Sequence, residues 1–331
     1  MTEKRILILG SSSFSGNAFE SSALNRFPNV FGAGRNGLPS KVFDAALKIR
    51  DSQNLNFVSF NFNKDIDKII EVIEQKRINV IVNFAAQSMV AQSWETPEDW
   101  YEANVVSLSK LVKQLSKNSR IEKFIQFTTP EVYGSTSGWM RESFEFAPNT
   151  PYAVSRAAAD WHLKSMYENF QFPVIFTRAA NVFGEHQQLY RIVPRAILSA
   201  LTEKKLPLQG GGKSIRSFIH IDDVSDALIR IVENGKAGES YHISTNRLVS
   251  IHELISIIAL QVGIFIEDLV EITPDRPGKD FAYQLDSTKI RHELDWEDRI
   301  SLEDGIARTV AWVKENLDEL RNLPTEYVHK R

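Results

Sequence analysis

The chain has 331 residues, no cysteine and a formal net charge of −3 at pH 7. That length allows a large core, organised as one large domain with a smaller second lobe. Without cysteine there are no disulfides, thiolate zinc sites or thiol nucleophiles, which fits a reducing cytosol. The slight charge gives no reason to expect nucleic acid or an anionic membrane as partner. No stretch approaches the ~18 apolar residues of a membrane span, and the opening apolar run is too short for a signal segment. A cytoplasmic protein is expected.

Lys4-Arg5-Ile6-Leu7-Ile8-Leu9 reads as a buried strand, and a helical pattern follows from Asn17 to about Asn25. Between them lies Gly10-Ser11-Ser12-Ser13-Phe14-Ser15-Gly16. Strand, small-residue turn and helix are the context in which a glycine-rich loop brings backbone N–H groups to a pyrophosphate. Ser13 stands where a G-x-x-G-x-x-G pattern would place its middle glycine. Gly10, Ser12, Ser13, Phe14, Ser15 and Gly16 are the candidate phosphate-loop residues; an ordinary strand–helix turn is the alternative.

The second strand, Asn29 to Asn36, should end beside an adenine ribose. An acid at that place favours NAD, whereas arginine suits the 2′-phosphate of NADP. No acid is present and Arg35 is, which favours NADP over NAD. A third strand, Asn56 to Phe60, leads to Asn61 and Phe62, placed to flank the adenine. Helical spacing runs from Asp65 to Gln75. Asn79 to Phe84 is a further strand, followed by Ala85-Ala86-Gln87-Ser88, small enough for close backbone contact with a cofactor at Phe84, Ala85 and Ala86. Thr96-Pro97-Glu98-Asp99 opens a helix reaching about Lys117, with cap, proline and acidic first turn. Strands alternating with helices predict an α/β, Rossmann-type doubly wound parallel sheet.

The chemistry concentrates between Phe127 and Arg156. Phe124-Ile125-Gln126-Phe127 predicts a parallel strand with Thr129, Pro130 and Glu131 at its carboxyl end, where open α/β sheets bind ligands. Thr150-Pro151 predicts a helix start. Tyr152 and Arg156, four apart, share one face of that helix near its positive end. A phenol beside a permanent cation is biased toward phenolate. A hydroxyl base, a charge that tunes it and the nearby Glu131 carboxylate point to redox or proton-transfer chemistry.

Val174 to Arg178 returns as a strand, and from Glu185 the alternation fades. Ser250-Ile251-His252-Glu253 is a capping box. Pro274 to Asp280, with Arg276, is a basic loop. The boundaries expected are 1–180 for a dinucleotide-binding domain, with later segments crossing back, and 181–331 for a lobe closing over it. His162, His186 and His220 show no metal-ligand spacing, so no metal is expected. Trp94, Trp100, Trp161 and Trp296 are read as packing residues.

Gly10 to Gly16, Ala85-Ala86-Gln87-Ser88, Asn104, Thr129 with Glu131-Val132-Tyr133-Gly134, Tyr152, Arg178 with Asn181, Arg216 and Arg276-Pro277-Gly278 together resemble one family over nearly the whole chain. It is the extended short-chain dehydrogenases/reductases acting on nucleotide sugars, and most closely the nucleotide-hexose 4,6-dehydratases. The resemblance implies a smaller C-terminal α/β lobe that binds a nucleotide sugar, and a bound NAD(P). It implies that Tyr152 takes the sugar 4-hydroxyl proton, Thr129 hydrogen-bonds the same oxygen, and Glu131 removes the C5 proton. Gln87 and Ser88 would contact substrate, and Asn181, Arg216 and Arg276 its diphosphate. Helices of about 97–117 and 152–170 would pair with a second copy in a homodimer, or be buried within one chain. Two positions depart from the pattern: Arg156 replaces a lysine, and Pro130 replaces the acid of a Thr-Asp-Glu motif. A 4-epimerase or C4 oxidoreductase is the alternative on the same scaffold, distinguished by having no need of Glu131. A weakly catalytic cofactor-binding protein is the second.

Overall fold

The computed structural model describes residues 3–35, 37–53, 57–136, 138–274 and 284–329. Its centre is a seven-stranded sheet made of β1 (Arg5–Leu9), β2 (Asn29–Gly34), β3 (Phe57–Ser59), β4 (Val80–Asn83), β5 (Lys123–Thr128), β6 (Val174–Ala179) and a late strand (Ser240–Ile243). The spatial order runs from that late strand through β6, β5, β4, β1 and β2 to β3, with every neighbouring pair parallel. The chain builds outward from β1 through β2 to β3, then crosses to β4 on the other side of β1. The reversal leaves a crevice at the carboxyl ends of β1 and β4.

Alternation along β1 sets the layers. Ile6 and Ile8 pack with Phe19 and Ala23 of α1 (Phe14–Arg26) and with Val224, Leu228 and Ile231 of a helix at Ile221–Asn234. Leu7 and Leu9 face the other way, onto Ile69 and Ile73 of α2 (Ile66–Gln75), and onto Leu111 and Leu115. Ile6, Leu7, Ile8 and Leu9 are fully buried, each contributing roughly 1.5–3 kcal/mol. A third core joins Phe183, Ile197, Leu254, Ile258, Ile306 and Val313, residues from the later part of the chain. No helix among the described residues is long and apolar enough to cross a membrane.

Several expectations shift. α1 starts three residues early, because Ser13 is its N-cap and accepts from the Gly16 N–H at 3.2 Å. The second and third strands end at Gly34 and Ser59, and Asn36 and Asn56 lie outside the described residues. The helix expected over 97–117 is α3 (Pro97–Tyr101), a π turn (Glu102–Ser107) and α4 (Leu108–Leu115), and Thr96 makes no side-chain cap bond. Asn104 lies within that turn. Its carbonyl accepts from the Gln87 N–H at 2.9 Å, and its amide donates to the Gln87 carbonyl at 3.0 Å and to Ser155 Oγ at 2.9 Å. These bonds tie the helix to the loop after β4. α5 (Pro151–Phe170) begins as expected, with Thr150 accepting from the Ala153 N–H at 3.1 Å. Ser250 likewise caps its helix, accepting from the Glu253 N–H at 3.0 Å.

Trp100 and Trp296 are fully buried, whereas Trp94 and Trp161 stand largely exposed. His220 caps the helix at Ile221–Asn234 and hydrogen-bonds Glu185 at 2.9 Å. Among the described residues no cluster could hold a metal ion.

Candidate active site

The crevice opens into a cleft of about 1460 Å³. Gly10 sits at its floor with φ of +79°, and a Cβ there would meet the Ala85 backbone nitrogen at 2.8 Å. A side chain at Gly16 would strike the Gly10 carbonyl, so the turn closes only with glycine at both places. Ser13 staples it further, donating from Oγ to the Gly10 carbonyl at 2.7 Å. The turn leaves the positive end of α1 at the cleft, where the first-turn N–H groups of Phe14 and Ser15 lack intrahelical acceptors. A close-packed glycine floor beneath a helix N-terminus is a cradle for a dinucleotide pyrophosphate.

Ser12, Ser13, Phe14, Ser15, Arg35, Asn61, Phe62, Phe84, Ala85 and Ala86 line this cleft, and Gly16 lies beneath it. Phe84 packs between Phe19 and Phe127, at centroid distances of 5.8 and 4.9 Å. The Asn61 side-chain Oδ1 accepts from the Asn63 N–H at 3.0 Å, turning the chain after β3. Arg35 is half-buried just past the end of β2.

Thr129, Glu131, Tyr152 and Arg156 line the same cleft, brought there by two elements. β5 delivers Thr129 in extended backbone, and Pro130 starts a tight turn that lifts Glu131 over the strand end. The Glu131 N–H donates to Thr129 Oγ1 at 3.3 Å. α5 delivers Tyr152 and Arg156, both buried. The guanidinium of Arg156 reaches back to the carbonyl of Phe127 on β5.

The balance of forces on Tyr152 differs from the sequence expectation. Burial pushes its phenol up and outweighs Arg156, the Thr129 hydrogen bond and Arg191, which pull it down, while Glu131 adds to the rise. One cation a turn away does not by itself ionise a phenol so deeply removed from water.

Gln87, Ser88, Asn181 and Arg216 also line the cleft. Arg216 donates to the carbonyl of Ile215 at 2.8 Å, which orients its stem. Arg276 and its basic loop lie outside the described residues. The cleft also has walls that local sequence patterns did not single out: Tyr190 and Arg191 before the helix at Ile192–Leu201, and Leu323, Pro324, Glu326, Tyr327 and Val328 near the C-terminus. No periodicity marks them, because the contact that joins these walls, Tyr190 with Tyr327, spans 137 positions of sequence.

The parallel sheet, the glycine cradle at its switch point and the Thr129–Tyr152 pair define an extended short-chain dehydrogenase/reductase. The family model described as GDP-mannose 4,6 dehydratase matches residues 7–309, and the chain belongs to that family. Human dTDP-D-glucose 4,6-dehydratase is 32% identical over 97% of this chain and 93% of its own. The dTDP-glucose 4,6-dehydratase of Streptomyces niveus is 31% identical over 94% and 93%. The crystal structure of dTDP-glucose 4,6-dehydratase from Bacillus anthracis in complex with NAD superposes with a TM-score of 0.85 at 30% identity, covering 96% of this chain and 98% of that one. A Thermotoga maritima UDP-glucose 4-epimerase with UDP-glucose, 23% identical at a TM-score of 0.85 over 95% and 99%, shares the fold.

Proposed function

We propose that the protein is a nucleotide-sugar 4,6-dehydratase, converting a nucleotide hexose to its 4-keto-6-deoxy form. The observation that carries this reading is the meeting of Thr129, Glu131 and Tyr152 in one cleft above the glycine cradle. NAD(P) would be held by the turn from Gly10 to Gly16, Arg35, Asn61, Phe62, Phe84 to Ala86, Tyr152 and Arg156. When bound it supplies the redox capacity for oxidation at C4 and reduction at C6, ending each cycle unchanged.

The chain's own residues handle the protons. Tyr152 accepts the proton of the sugar 4-hydroxyl, and Thr129 donates a hydrogen bond to that oxygen as it becomes a carbonyl. The ketone acidifies the C5 hydrogen, and Glu131 removes it as general base. With Pro130 in place of an acid, the departing C6 hydroxyl takes its proton from Glu131 or from water. Asn181 and Arg216, with Arg276, hold the diphosphate, since guanidinium forks match phosphate oxygens. Gln87 and Ser88 contact the sugar nucleotide.

Arg35 at the end of β2 supports NADP over NAD, because a guanidinium there can pair with a 2′-phosphate. Exposed Tyr101, Val106, Val154 and Trp161, on the helical run over 97–115 and on α5, support a homodimer built on those helices. Light scattering on the purified protein tests that assembly.

Incubation with a panel of nucleotide hexoses tests the reaction. A 4-keto-6-deoxy product is expected. A C4 epimer as sole product would replace this reading with an epimerase, which has no use for a base at C5.

A further inference from the structure

Beyond the third core the chain does not stop at the lobe surface. After a short helix at Leu317–Leu320, Leu323 still packs against that core. The next residues then run along the cleft, with Leu323, Pro324, Glu326, Tyr327 and Val328 among its walls. At the far end His329 lies on the dinucleotide-binding side. Its ring stacks on Trp100 at 4.9 Å and 18°, and its Nε2 meets Asp99 Oδ2 at 2.8 Å. Both partners belong to α3, and Trp100 is fully buried.

Midway, the Tyr327 ring meets the Tyr190 ring edge-on, with centroids 5.3 Å apart and planes at 77°. The Arg191 guanidinium lies over Tyr190 at 5.6 Å. The charges of Arg35 and of Arg191 both reach the Tyr327 phenol. Arg35 follows β2 and Arg191 precedes the helix at Ile192–Leu201, so Tyr327 stands between cleft residues from two distant parts of the chain.

We infer that residues 323–329 form a strap that latches the cleft and retains the bound dinucleotide. The inference rests on the NAD(P) reading of the cleft. A segment anchored at both ends must detach at one of them before a ligand beneath it can leave. The His329 end is the one to open, since it is held by one stacked pair and one hydrogen bond, whereas Leu323 is tied into a core. Detachment then enters the release rate, as it does for lids over other active sites. Retention suits a reaction in which the cofactor ends each turnover as it began and need not exchange. Tyr327 is the residue through which the strap faces the adenosine end of the site, beside Arg35.

The test is cofactor release from the full-length protein, independent of sugar turnover. Reduced NADP or NAD is bound, its fluorescence recorded, and its departure followed after mixing with excess oxidised cofactor. His329→Ala, Asp99→Asn and Tyr327→Ala are each expected to release it about tenfold faster, the change that a loss of ~1.4 kcal/mol produces. The His329→Ala/Asp99→Asn double variant should be no faster than the quicker single one, since both remove the same latch. A chain ending at Leu323 should match or exceed them. Release rates equal to the parent's in all of these would overturn the strap while leaving the dehydratase reading intact. A rise only in the KM for the sugar nucleotide would also overturn it, placing the segment over the substrate instead. Failure of the parent to bind either cofactor would remove both readings.

Discussion

Arg156 donates to the backbone carbonyl of Phe127, two residues before Thr129. The helix that carries the phenol is thereby tied to the strand that carries its hydrogen-bonding partner. Arg156 is only 3% exposed, so its charge is barely screened by water and it acts on Tyr152 as the largest of the influences that lower its pKa.

Replacing Arg156 therefore has two readable consequences. Arg156→Met should cut kcat by about 10²–10³, within the range of a general base put out of tune. The sign of the pH effect follows from the forces. Burial holds the phenol above its ordinary value, Arg156 opposes this, and turnover needs the ionised form. The acid limb of the pH–rate profile must then move to higher pH in the Met variant. Arg156→Lys keeps the charge and should lose less than about tenfold, with the limb near its original place. A Met variant with an unshifted limb would separate Arg156 from the ionisation of Tyr152.

Glu131→Gln removes the C5 base and leaves Thr129 and Tyr152 in place. Mixed with enzyme and substrate in equal amounts, the variant should show a single burst of reduced-nicotinamide absorbance. Release of 4-keto-6-deoxy product should fall by about 10²–10⁴. Product formation at the parent rate would exclude Glu131 as the base.

Arg35→Ala tests cofactor selection. A charge-assisted bond to a phosphate is worth about 1.5–3 kcal/mol, so the Kd for NADP should rise roughly 10–100-fold while that for NAD changes little. Isothermal titration with both cofactors checks this, and equal weakening would assign the 2′ position to another group.

Glu185 bridges the cap of the helix at Ile221–Asn234 and the helix at Leu302–Glu315. Its carboxylate bonds His220 at 2.9 Å and Arg308 at 2.8 Å. Burial raises its pKa, but the hydrogen bond from His220, a backbone hydrogen bond and the Arg308 guanidinium prevail and hold it at about 2, below the ordinary 4.5. A depressed carboxylate stabilises the fold above pH 4.5 and loses that contribution as pH falls toward 2. Glu185→Gln should cost on the order of 2–3 kcal/mol at pH 7, and the gap to the parent should narrow between pH 4.5 and 2. Urea unfolding at pH 7, 4 and 3 measures it; a gap independent of pH would mean that packing, not ionisation, carries the loss.

Local pattern in the sequence determined the frame. Apolar runs set the buried strands, Gly10 and Gly16 set the turn, and Thr150-Pro151 set the start of α5, because each depends on neighbours within a few residues. The topology rule then placed Thr129 and Glu131 at a strand end, and the helix start at Thr150-Pro151 placed Tyr152 near the positive end of α5, without knowledge of side-chain contacts. Only the tertiary structure decided matters of depth and of distant meeting. Burial raised the Tyr152 phenol against its nearest cation. Asn104 found the Gln87 backbone from within a π turn that interrupts an expected α-helix. Tyr327 and His329 found Tyr190, Trp100 and Asp99 across 137, 229 and 230 positions of sequence. Desolvation is a property of everything packed around a group, and such long closures are set by the whole fold, so neither leaves a periodic signal in the chain itself.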